Sequence, residues 1–90
     1  MTYHELAERT SDAYSYDRYG ASGWRGSARA LLRAGFTPDD AEAILRSKLT
    51  RWAADMGGRR YGRASSRDLV AFLASDGGRK ALRLVLDGGQ

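Results

Sequence analysis

A chain of 90 residues is one small domain's worth, and we read 1–90 as a single helical domain. It carries 15 Lys+Arg against 11 Asp+Glu, a formal charge of +4, with no Cys and a single His. These counts exclude a disulfide scaffold, a Cys-type zinc centre and a thiol nucleophile, and leave a Ser-His-Asp triad no base but His4, close to the N-terminus.

Thr2 and Glu5 have the T-x-x-E spacing of a capping box, which predicts a short first helix from Tyr3. Tyr3, Leu6, Ala7 and Thr10 share one face of it. Residues 10–22 are rich in Ser, Asp, Tyr and Gly and poor in aliphatics, and we expect a partly irregular connection there. Its tyrosines, Tyr14, Tyr16 and Tyr19, suit either a protein-binding surface or a clasp over the core.

A second helix is expected over Trp24–Ala34. Trp24, Ala28, Leu31 and Leu32 fall on one face and Arg25, Arg29 and Arg33 on the other, with Gly35 placed for the left-handed position beyond the end. The third helix has the fullest set of signals: Thr37 as cap, Pro38 at the first helical position, Asp39 and Asp40 in the first turn. Ala41, Ile44, Leu45, Leu49 and Trp52 continue its apolar stripe, so a central long helix is expected over about 38–55, with both Trp24 and Trp52 in the core. Lys48 falls inside that stripe, and either snorkels past it, meets Asp55, or lines a contact site.

After the Gly57-Gly58 stop comes a basic stretch. Ser65 and Asp68 form a second capping box, which opens a helix to about Ala74 with Leu69, Val70, Phe72 and Leu73 on its apolar face. Asp76-Gly77-Gly78 reads as a turn. Leu82, Leu84 and Leu86 alternate as a strand would, but the strong helix formers of 80–86 favour a helix. The expected fold class is all-α, a compact bundle of four to five short helices around the long central one. So small a core is also compatible with a homodimer that buries a shared face.

Charge is unevenly placed. Residues 1–45 hold 7 acidic and 5 basic groups, whereas 46–90 hold 4 acidic and 10 basic. Arg46, Lys48, Arg51, Arg59, Arg60, Arg63 and Arg67 stand against Asp55 alone, a clustering that points to an anionic partner. The Arg bias itself also fits a GC-rich coding sequence, which does not account for the clustering.

Two helix-turn-helix placements are open. Pairing the second and third helices would lead into a major groove with Asp39, Asp40 and Glu42, which phosphates repel. Pairing the third and fourth sets Arg59, Arg60, Tyr61, Arg63, Ser65, Ser66 and Arg67 at the entry of the reading helix, with Arg46 and Arg51 flanking. Its connection is longer than the motif's usual turn. Arg25, Arg29 and Arg33 form a second candidate basic ridge, unless Asp12 and Asp17 fold back onto it.

The run Ala41-Glu-Ala-Ile-Leu-Arg-Ser-Lys48, with Arg51-Trp-Ala-Ala-Asp55 and Tyr61-Gly-Arg-Ala64, resembles short uncharacterised proteins of actinobacteria and their bacteriophages. The resemblance covers about residues 28–73, and its most specific part is the Ile-Leu-Arg-Ser-Lys…Arg-Trp-Ala motif. It implies a small accessory protein and assigns no functional residue.

No carboxylate pair, metal-ligand set or Gly-rich phosphate loop stands at a working spacing, so we expect neither an enzyme nor a cofactor or metal. No apolar run approaches a membrane span, and the N-terminus lacks a signal-peptide pattern, so a cytoplasmic location is expected. The function expected is helix-turn-helix-like nucleic-acid binding, to double-stranded DNA rather than RNA, in an accessory or regulatory role. The alternative is a phage-type interaction module for an acidic host protein.

Overall fold

The capping signals of Thr2 and Thr37 act where they stand. The computed structural model describes residues 1–13, 21–56 and 66–88, with the backbone alone at 21–23, 51, 54–56 and 66. Ser65 of the second predicted capping box lies outside the described residues. Thr2 Oγ1 accepts the Glu5 amide hydrogen at 3.2 Å, and the Glu5 carboxylate accepts from the Thr2 amide. This reciprocal box opens α1, Tyr3–Arg9, and a 3-10 turn, Ser11–Ala13, follows. Tyr14, Tyr16 and Tyr19 lie outside the described residues.

Helix α2 spans Ala21–Arg33, so it begins inside the segment expected to be irregular. It ends in a Schellman motif: Phe36 N donates to Leu31 O and Gly35 N to Leu32 O, each at 3.2 Å, with Gly35 at φ +100. A side chain at Gly35 would be strained, and the sequence supplies none. Thr37 then caps α3, Pro38–Arg46, by accepting from the Asp40 amide at 3.2 Å.

The long central helix expected over 38–55 is two helices. Ser47 takes an extended backbone, φ −90 and ψ 175, between α3 and α4, Leu49–Met56. Its hydroxyl donates to Ile44 O at 2.7 Å and accepts from the Leu49 amide at 3.1 Å. One side chain thus closes one helix and opens the next, the local competition with the helical ladder for which serine is suited. Its consequence is a reset of register. Leu49 and Ala53 turn inward, Lys48 turns to solvent, and Trp52 is 42% exposed. The expectations that Trp52 is core and that Lys48 interrupts an apolar stripe both assumed an unbroken helix.

The fourth predicted helix is α5, Ser66–Ala74, and it is followed after one residue by α6, Asp76–Leu86. Residues 80–86 are helical, as favoured, but Asp76-Gly77-Gly78 is the first turn of α6 and not a separate turn. Ser75 makes the corner: its Oγ donates to Phe72 O at 2.6 Å and accepts from the Gly78 amide at 3.1 Å. The corner is tight enough that a Cβ at Gly78 would overlap the Phe72 carbonyl, so glycine is required there for close approach.

Among the described residues these six α-helices and the 3-10 turn enclose one core, and there is no strand. Leu6, Leu31, Ile44, Leu45, Leu49 and Leu69 are fully buried, with Trp24, Ala28, Ala41 and Leu73 beside them. Helix α2 packs on α1 and α5, and α5 packs on α4 and α6. The Trp24 indole N–H donates to the buried Thr10 Oγ1 at 3.0 Å, which itself donates to Leu6 O at 2.9 Å. This bond ties the end of α1 to the start of α2. No helix among the described residues is long and apolar enough to cross a membrane.

Candidate nucleic-acid interface

Helix α2 positions the basic ridge. Burying Trp24, Ala28 and Leu31 on one side directs Arg25, Arg29 and Arg33 outward on the other, and all three are exposed. At 1.5 Å per residue the ridge is about 12 Å long, with one guanidinium every ~6 Å. None of the three makes an ion pair among the described residues.

One of the two carboxylates that were candidates to neutralise this ridge is engaged elsewhere. Asp12 accepts from Arg46 Nη1 at 2.7 Å, while Arg46 also bonds Glu42 at 3.1 Å and the Arg9 carbonyl at 2.9 Å. Arg9 pairs with Glu42 at 3.3 Å, completing a four-residue network between the end of α1, the 3-10 turn and α3. The hydrogen bond from Arg46 holds the Asp12 carboxyl below its ordinary range and, reciprocally, raises Arg46. Arg46, expected to flank a phosphate-binding surface, is therefore occupied within the molecule. Asp17 lies outside the described residues.

Beside the ridge, α1 contributes aromatic rings. The Arg29 guanidinium carbon sits 5.6 Å from the centre of the Tyr3 ring, within cation–π range. Tyr3 and His4 stack at 4.1 Å between ring centres. Tyr3, Arg29, Leu32 and Arg33 line a shallow, open cleft of about 390 Å³. The sequence showed the ridge and placed Tyr3 on one face of α1 with Leu6, Ala7 and Thr10. Its pairing with Arg29 depends on how α1 crosses α2, which periodicity within either helix does not contain.

Of the second set, Arg67 is exposed in the first turn of α5. Arg59, Arg60, Tyr61, Arg63 and Ser65, and the side chains of Arg51 and Ser66, lie outside the described residues. Helices α4 and α5 pack against each other. The α2–α3 pair, joined by residues 34–37, carries Asp39 and Asp40 at the start of its second helix. Not singled out from the sequence were Arg79, Lys80 and Arg83, all exposed on α6. Among the described residues no cluster of three His, Asp or Glu side chains is arranged to hold a metal. No protein-family model, curated protein or solved structure matches the chain.

Proposed function

We propose that this is a small nucleic-acid-binding accessory protein of the cytoplasm, acting on DNA in preference to RNA. The observation that carries the reading is the α2 ridge: three exposed arginines at one-turn spacing, unpaired among the described residues while Asp12 is held by Arg46. Like charges so spaced disfavour an isolated helix by about 0.3 kcal/mol per pair, and a polyanion converts that repulsion into attraction. The Arg59–Arg67 run supplies a second set of phosphate contacts in this reading, with Arg67 at the start of α5. Fluorescence anisotropy against a random DNA duplex at about 50 mM salt tests it. The expected result is micromolar binding that weakens in R25A/R29A/R33A and again in R59A/R60A/R63A. No binding by the native protein at that salt, to the duplex or to a single strand of the same length, would refute it.

A second reading, a module for an acidic host protein, is favoured by Trp52, a large aromatic side chain left 42% exposed by the Ser47 break. Tryptophan is enriched among residues that dominate protein interfaces. Under this reading W52A abolishes capture of the partner and leaves duplex binding unchanged.

A further inference from the structure

The proposal that follows rests on the nucleic-acid reading and makes it more specific. We infer that the cleft between α1 and α2 takes an unpaired nucleobase together with its phosphate, so that the ridge holds single-stranded nucleic acid. Three features at one place support this. The first is flatness: the Tyr3 ring and the Arg29 guanidinium over it meet at the wall of the cleft, and aromatic and guanidinium planes are the surfaces on which unstacked bases lie. The second is polarity: Leu32 gives the cleft an apolar patch, while Arg29 and Arg33 carry positive charge at its edge. A flat ring bearing an anion matches that combination, whereas an aliphatic carboxylate would leave the planar wall unused.

The third feature is extent. Arg29 and Arg33 line the cleft, and the ridge continues past them to Arg25, one turn from Arg29. Guanidinium groups about 6 Å apart along a helix can engage successive phosphates of one strand. A strand therefore uses all three arginines and a lone nucleotide does not. A duplex keeps its bases stacked and paired, so it offers the cleft nothing flat to accept.

The test uses the full chain and fluorescein-labelled oligothymidylate of about eight nucleotides, beside an abasic strand of equal length and charge and a duplex. The native protein is expected to bind oligothymidylate at least about fivefold more tightly than the abasic strand. Arg29→Lys retains charge at an exposed site but loses the plane, so it should cut oligothymidylate affinity by more than it cuts abasic affinity and bring the two toward equality. Tyr3→Leu should do the same, and R29K decides the matter if Tyr3→Leu impairs folding. Equal affinity for the abasic strand would overturn the base-binding cleft while leaving the nucleic-acid reading intact. No binding of any strand or of the duplex would overturn both. Displacement of the oligonucleotide by thymidine monophosphate at equal nucleotide concentration would overturn the assignment to a strand.

Discussion

Ser27 is fully buried in α2, and its hydroxyl has no hydrogen-bond partner among the described residues. An unsatisfied buried hydroxyl is a cost that alanine removes without opening a large cavity. Ser27→Ala is therefore expected to stabilise the fold by up to about 1 kcal/mol, read from urea unfolding. Gly78 is the opposite case. Any Cβ there meets the backbone of Phe72, which cannot move without disturbing the Ser75 corner that bonds the same carbonyl. Gly78→Ala should cost about 3 kcal/mol in the same experiment. The Gly35 position was legible in the sequence because a helix end states its own requirement. The Gly78 position was not, because its constraint is the approach of α5 to α6.

At the scale of elements, the capped helix beginnings at Thr2 and Thr37 were the most readable feature. Thr2, Thr37 and their partners act within four residues of chain, so local spacing contains the whole interaction. The break at Ser47 was missed because the apolar period on either side continues plausibly through it, and one hydroxyl decides between one helix and two. Ser47→Ala removes the bond to the Leu49 amide and is expected to destabilise by about 1 kcal/mol. The Asp12–Arg46 contact couples elements far apart in sequence and was likewise not readable. Because the folded Asp12 pKa lies below the ordinary value of 3.8, its contribution is complete above that value and is lost as pH falls through the folded one. Asp12→Asn should thus lower the melting temperature at neutral pH, and the difference from the native protein should close below pH 3.8.

At the scale of the whole molecule, the fold class followed from helical periodicity, since Leu6, Trp24, Leu31, Ile44, Leu45 and Leu69 enter the core as their spacing predicts. The ridge on α2 was equally legible, being the complement of that core face. Its surroundings were not: that Asp12 is bonded to Arg46, and that Tyr3 lies beside Arg29, are results of packing. These two results move the weight of the functional reading from the Arg59–Arg67 run toward α2.

The central claim is that the ridge binds phosphates, and the salt dependence of affinity measures it. Each phosphate neutralised contributes about −0.9 to the slope of log K against log salt on duplex DNA, or about −0.7 on a single strand. Between about 50 and 200 mM salt, R25A/R29A/R33A should show a slope shallower than the native protein's by about 2 to 3. Parallel slopes for the two proteins would contradict the account, because the ridge would then touch no phosphate.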